Sequence, residues 1–210
     1  MDDKYVVNIG RQLGSGGKEI GEKLARLLNI SFYDKELINL ASEESGLCKE
    51  FFENADEKAS QSIIGGIFGM RFPFISDGSI PIGNCLSNDA LFKIQSDVIR
   101  ELAEEKSCLF VGRCADYILR DHPRCVNIFI SASKEDRIKR LCNIHHISVE
   151  KAEEFMEKAD KKRSTYYNYY SYKTWGMAST YHLCIDSSVL GIDETVKFIH
   201  TFITKKLGLH

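Results

Sequence analysis

Two kinds of apolar pattern alternate along the chain. The first is a short run of strand length, at 5–9 (YVVNI), 30–34 (ISFYD), 107–112 (SCLFVG), 125–131 (CVNIFIS) and 181–186 (YHLCID). The second is a helical spacing. Ile20, Leu24, Leu27 and Leu28 recur after Lys18, and Leu91, Gln95, Val98 and Leu102 share one face of 88–106. Ile192, Val196, Ile199 and Ile203 mark a final helix with Asp193 near its start. Further helices are predicted over KELINLASEES, ending near Gly46, from about Lys134, and from near Ser148, where Ser148 and Lys151 give half of a capping box. The runs at 107–112 and 125–131 are those of strands buried on both faces. A strand, a glycine turn, a helix and then three more strand–helix units predict an α/β fold with a doubly wound parallel sheet. Ligands of such sheets bind beyond the carboxyl ends of the strands. Residues 10–18, Asp34 and Gly112-Arg113 fall at those ends.

Two segments interrupt this alternation. Residues 60–88 are glycine-rich, apolar and aperiodic, and loops of that length are usually functional or mobile. Their apolar part, 63–82, suits either a cover for a substrate or a contact with a second subunit. Residues 158–180 interleave basic and aromatic side chains.

Composition narrows the class. A chain of 210 residues suits one α/β domain, and 43 % hydrophobic with 28 % charged residues is the balance of a soluble globular protein. A formal net charge of −2 gives no global field to recruit nucleic acid, so basic residues must act locally. The seven cysteines are odd in number, irregularly spaced and without a C-x-x-C, which predicts a reduced, cytoplasmic protein rather than a disulfide scaffold or zinc site. The acidic N-terminus with its short apolar run is no signal peptide, and no apolar stretch reaches membrane-spanning length.

Chemistry is most concentrated at 9–21, IGRQLGSGGKEIG. The pattern Gly-x-x-x-x-Gly-Lys-Ser/Thr is met except at Gln12, in place of the first glycine, and at Glu19, in place of the hydroxyl. Binding phosphate requires backbone N–H groups to converge on oxygen without side chains in the way. Gly14, Gly16 and Gly17 allow that, and the helix that follows points its N-terminal dipole at the anion. Gly14, Ser15, Gly16, Gly17, Lys18 and Glu19 are therefore the candidate ATP phosphate-binding residues, with Lys18 reaching the outer phosphates. Gly21 permits close helix–sheet packing. The competing reading is a glycine-rich turn that binds nothing. A lysine closing a glycine cluster at a helix start argues against it.

The segments GRQLGSGGKEIGEKLARLLNISFYDKELI, LFVGRCADYIL, IFISASKEDRIKRL, ADKKRSTYYNYY and YHLCID, in this order and spacing, together resemble the cytidylate kinase-like family of nucleoside monophosphate kinases. The resemblance runs from about Val6 to Leu207. It implies a three-layer P-loop kinase fold: a parallel, five-stranded sheet with helices on both faces, a substrate-binding insertion and a helical lid. Residues 1–210 would form one domain, with 35–88 as acceptor-binding region and 158–180 as lid. It also implies ATP, Mg²⁺ and a small-molecule acceptor. Cytidylate kinases carry Gly-Lys-Gly-Thr where this chain has Gly17-Lys18-Glu19-Ile20, and Asp-Gly-Arg-Asp where it has Val111-Gly112-Arg113-Cys114. The Ser and Arg that hold their monophosphate correspond roughly to Lys35 and Leu40. The resemblance thus supports kinase chemistry better than it supports CMP as substrate.

The resemblance gives Arg113 to the acceptor's phosphate. The alternatives for Arg113 are a helix cap or an ion pair with Asp116, itself grouped with the acceptor-binding candidates. Arg137 and Arg140, three apart on one helix, lie near adenine or the lid by resemblance, or else on a solvated charged face. Asp160, Lys161, Lys162 and Arg163 open the lid, where Lys161 and Arg163 would close over phosphates and Asp160 orient Arg163; an exposed charge run is the alternative. Asp34 suits a substrate hydroxyl, a magnesium-bound water or a helix cap. Gln95 on a buried face must find partners, a nucleobase edge or an internal bond. The histidines, His145-His146 included, read as surface residues. The tyrosines 166, 167, 169, 170, 172 and 181 with Trp175 suit lid or subunit packing, or stacking on single-stranded nucleic acid.

Taken together, the sequence predicts ATP-dependent phosphoryl transfer to a small acceptor, most readily a nucleoside monophosphate. Lys18, Arg113, Lys161 and Arg163 are the catalytic candidates, and Ser15 or Asp34 the candidate magnesium ligands. Two other classes stand beside it: a nucleotide sensor derived from a kinase, motivated by Glu19, and a single-stranded nucleic-acid binder, motivated by the tyrosine segment. No membrane partner is expected, and a homo-oligomer is left open.

Overall fold

The computed structural model describes residues 4–44 and 88–209. The interrupting segment 60–88, its apolar part 63–82, the predicted helix end near Gly46, and Cys48 and Cys85 all lie outside the described residues, Asn88 apart. Five strands are described: β1 (Val6–Arg11), β2 (Ser31–Tyr33), β3 (Cys108–Val111), β4 (Cys125–Ser131) and β5 (Leu183–Asp186). The helices are α1 (Gly17–Leu28), α2 (Lys35–Glu44), α3 (Asn88–Glu105), α4 (Ala115–Ile118), α5 (Lys134–His145), α6 (Val149–Ser171) and α7 (Ser187–Leu207). The chain forms two compact units, one of residues 1–36 and 99–210 and a smaller one of 37–98. The whole sheet belongs to the first.

The sheet is parallel throughout, in the order β2-β3-β1-β4-β5. In β1, Val6 pairs with both Cys108 and Cys125, and Arg11 reaches Ile130. Parallel pairing brings all carboxyl ends to one edge, so the turns after β1, β2 and β3 open at the same end of the sheet. Burial follows the apolar runs: Cys108–Val111 is buried at every position. On one face Val7, Ile9, Leu109, Val111, Ile128 and Ile130 pack with Ile20 and Leu24 of α1 and Val196, Ile199 and Ile203 of α7. Each such side chain contributes about 1.5–3 kcal/mol by leaving water. A second cluster joins Leu141 of α5 to Ala152 and Met156 of α6.

Ser148 caps α6 by accepting from the Lys151 amide, as its spacing predicts. The helix then runs unbroken for 23 residues, so 160–163 lies within a helix. The apolar register of the last helix starts where the sequence places it, because Gly191 at φ 73° breaks α7 just before Ile192. Cys184, which lies in an apolar run, is exposed: β5 is an edge strand with one face outward. The described cysteines are all free thiols. Among the described residues no helix is long and apolar enough to cross a membrane.

At Gly21 α1 packs closely on the sheet. A Cβ there would stand 3.1 Å from Val111 Cγ2, 3.2 Å from Phe32 Cε2 and 3.3 Å from Leu109 Cδ2. Gly21→Val should therefore lower unfolding free energy by about 1–3 kcal/mol through overpacking, read from urea denaturation midpoints.

Candidate active site

The turn from β1 into α1 is built from backbone whose carbonyls are all occupied. The Arg11 carbonyl accepts from Arg163 Nη1 at 3.2 Å, and the Gln12 carbonyl from the Ser15 hydroxyl at 2.9 Å. The Leu13 carbonyl accepts from Arg137 Nε at 2.7 Å, the Gly14 carbonyl from Arg140, and the Ser15 carbonyl from Ser187 Oγ at 2.7 Å. Five successive acceptors are thus turned away from the loop's mouth. Gly14 and Gly16, at φ 78° and 76°, make the turn possible, since other side chains rarely tolerate that backbone. Gly16 caps α1 without a side chain, so no side-chain oxygen covers the first-turn amides of Gly17, Lys18 and Glu19. Uncapped amides at a helix N-terminus, with the carbonyls facing elsewhere, are what an anion needs.

Gln12 has a definite role in place of the glycine it replaces. Its amide donates to the Ile130 carbonyl at 3.1 Å and its side-chain oxygen accepts from the Ala132 amide at 3.3 Å, which ties the loop to the end of β4. Asp160 of α6 secures the other side. It accepts the Leu13 amide at 2.8 Å and pairs with Arg137, with Arg163 at 3.8 Å.

Lys18 Nζ lies 2.6 Å from Asp34 Oδ2 and 3.8 Å from Glu36, and the hydrogen bond to Asp34 raises its pKa. The lysine is 58 % exposed while Asp34 is buried, so the ammonium stands at the surface on an anchored carboxylate. Beyond β3, Gly112, Arg113 and Cys114 have φ of 85°, 56° and 56° in succession. Left-handed backbone at two non-glycine residues costs roughly 1–2 kcal/mol each. Strain of this kind gathers at functional sites. Arg113 lies over the Tyr166 ring at 5.7 Å, with its Nε buried and without a hydrogen-bond partner.

A glycine turn with uncapped helix amides, a lysine at the helix start and an arginine after β3 thus lie at one edge of a parallel sheet. The model of the cytidylate kinase-like family matches residues 6–189, which contain all of these elements. The chain belongs to the cytidylate kinase-like family. No curated protein matches it. Among solved structures it is similar to an uncharacterized protein from Eubacterium ventriosum, at 27 % identity, 95 % of this chain and 98 % of that one, with a TM-score of 0.71. It shares its fold with a gluconokinase from Sinorhizobium meliloti (10 % identity, 99 % and 96 % coverage, TM-score 0.55). It shares it also with a shikimate kinase from Bacteroides thetaiotaomicron (13 % identity, 98 % and 99 % coverage, TM-score 0.52). Family and fold make the chain a P-loop kinase.

The other candidate residues have the following partners. Asp116 is buried and accepts from the Tyr167 hydroxyl at 2.6 Å rather than pairing with Arg113. Burial raises its carboxyl pKa, with the Tyr167 bond opposing. Gln95, only 1 % exposed, belongs to the smaller unit; its Nε2 donates to Asn39 at 2.9 Å and its Oε1 is buried and unpaired. Arg137 and Arg140 hold loop carbonyls. Lys161 is exposed, whereas Arg163 faces the loop. Among the tyrosines, Tyr167 is buried and Tyr169 and Tyr172 are exposed.

Magnesium in such kinases takes one or two carboxylates plus phosphate oxygens and water. Ser15 does not offer its hydroxyl, because the residue is fully buried and donates to Gln12. Glu19 pairs with Lys23 at 2.9 Å. No group of three or more potential ligands gathers among the described residues. Asp34, beside Lys18, fits the requirement, with Glu36 near it. Three elements escaped sequence reasoning: Ser187, which carried no signal; the carbonyl-holding role of Arg137 and Arg140; and Arg11, which its position as last residue of the central strand, directly before the loop, could have flagged.

Two substitutions test this construction. Asp160→Ala leaves the buried Arg137 guanidinium unpaired and should cost about 3–5 kcal/mol in denaturant unfolding. Asp116 titrates higher folded than unfolded, so folding takes up a proton between the two values and the burial penalty is fully present only above the folded one. Asp116→Asn should therefore raise stability at pH 7 relative to the parent, and the gain should vanish as pH falls below the unfolded carboxylate range, read from denaturant midpoints across pH 3–7.

Proposed function

We propose that the chain transfers the γ-phosphoryl group of ATP to a small acceptor, a nucleoside monophosphate by family. The observation that carries this reading is the loop itself: occupied carbonyls, uncapped amides at the start of α1, and Lys18 at the mouth. Phosphoryl transfer asks little covalent chemistry of a protein and much positioning and positive charge. The first-turn amides and Lys18 bind the donor phosphates. Arg113 orients the acceptor, and Arg163, held beside the loop by Asp160, adds charge where it develops. Magnesium, when bound beside Asp34, neutralises phosphate charge. The buried Asp34 also has the position to receive an acceptor hydroxyl.

The occupied Ser15 hydroxyl and the Glu19–Lys23 pair favour a second reading, a sensor that binds ATP without turnover. An ADP-release assay with ATP, Mg²⁺ and a panel of acceptors separates the two. The panel holds nucleoside monophosphates and the hydroxy-acids shikimate and gluconate, the latter because kinases of those names share the fold. The proposal expects turnover with at least one acceptor and a loss of about 10²-fold or more in kcat for Lys18→Ala. Tight ATP binding with no turnover on any acceptor would establish the sensor instead.

A further inference from the structure

The side chain of Arg11 follows a path that two glycines keep open. A Cβ at Gly17 would press on Arg11 Cβ and Cγ at 2.6 and 2.8 Å, and a Cβ at Gly112 would collide with its guanidinium. The glycine before Lys18 and the glycine before Arg113 therefore act together to admit the Arg11 side chain to the carboxyl edge of the sheet. What it meets there is charged, with cations beside the carboxylates of Glu36 and Asp34. Arg163 donates to the Arg11 carbonyl, Arg113 follows Gly112 directly, and Lys35 opens α2 after β2.

Among the described residues Arg11 makes no ion pair, although Asp34 and Glu36 act on it at longer range. Burial first, then the Arg163 charge, push its pKa down to about 9. Desolvation and the Arg113 charge likewise lower that of Lys35. Arg113 adds its buried, unpartnered Nε. Guanidinium groups stay protonated at neutral pH, so the repulsion persists unless an anion relieves it. Lys18, by contrast, has Asp34 at 2.6 Å, whereas Asp34 and Glu36 reach Arg11 only at longer range.

We infer that Arg11, with Arg113 and Lys35, forms a subsite for an anionic group carried by the acceptor, a phosphate monoester or a carboxylate, and that Arg11 is a specificity-determining residue for the acceptor rather than a ligand of ATP. This rests on the phosphoryl-transfer reading for the word acceptor, but the anion site stands on its own geometry. A planar guanidinium held in a fixed channel suits bidentate binding of either anion.

Calorimetric titration of the full chain, saturated with Mg²⁺ and a non-hydrolysable ATP analogue, tests it with CMP, gluconate and neutral cytidine as probes. The wild type should bind CMP or gluconate about tenfold or more tightly than cytidine, and which of the two binds distinguishes phosphate from carboxylate. Arg11→Gln should weaken the anionic probe about tenfold or more, while the Kd of the ATP analogue moves less than about twofold. Arg11→Lys should fall between. The thermal midpoint of Arg11→Gln should equal or exceed that of the wild type, because removing a crowded cation relieves repulsion; a merely structural arginine would lower it.

The inference is overturned if no anionic probe binds, if cytidine binds as well as CMP and gluconate, or if Arg11→Gln weakens the ATP analogue and leaves the anion untouched. Turnover on a neutral acceptor, indifferent to Arg11→Gln, would sink it while leaving phosphoryl transfer standing. Arg11-dependent anion binding without turnover would do the reverse.

Discussion

The carboxylate of Asp160 meets the Leu13 amide, the Arg137 guanidinium and, at longer range, Arg163. One half-buried anion thus holds two arginines, and each of them holds a carbonyl at the turn from β1 into α1. A loop that binds phosphate must present N–H groups and hide C=O groups, although every residue supplies both. Here the hiding is done by side chains from α5, α6, the start of α7 and Ser15 itself. The loop is therefore set in its binding shape by the fold around it, and little reorganisation is left for the ligand to impose.

Charge follows the same arrangement. A chain with a formal net charge of −2 nevertheless gathers Arg11, Arg113, Arg163 and Lys35 at one edge of its sheet. Only the parallel topology does this, because it stacks the turns after β1, β2 and β3 at one end. Lys18 is matched by Asp34 and Arg163 by Asp160, whereas Arg11 has carboxylates only at longer range and the Arg113 Nε is buried without a partner. On the proposed reading, this edge has a donor side and a side for the acceptor's anion.

Much of this was legible in the sequence. The buried runs at 107–112 and 125–131 and the apolar periodicity from Ile192 to Ile203 place the core strands and the last helix, because a parallel sheet covered on both faces leaves few alternatives. The glycines and Lys18 place the turn from β1 into α1. Sequence reasoning reached Arg137, Arg140, Asp160 and Arg163 as a charged set, but not as holders of loop carbonyls. Those bonds join residues more than a hundred positions apart, or 23 apart on two helices whose packing no local pattern specifies. Asp116 misled for the same reason: its nearness to Arg113 in the chain suggested an ion pair, while the fold brings it to Tyr167. The exposure of Cys184 was not legible, because an apolar run does not reveal whether its strand is central or at the edge.

The central claim is that this loop is a phosphate cradle with Lys18 as its mobile cation. A crystal structure of the full chain with Mg²⁺ and a non-hydrolysable ATP analogue tests it most directly. The account predicts the triphosphate on the amides of residues 17–19, with the loop backbone unchanged and Lys18 Nζ moved from Asp34 to a phosphate oxygen. A triphosphate bound elsewhere, with Lys18 still paired to Asp34, would contradict it.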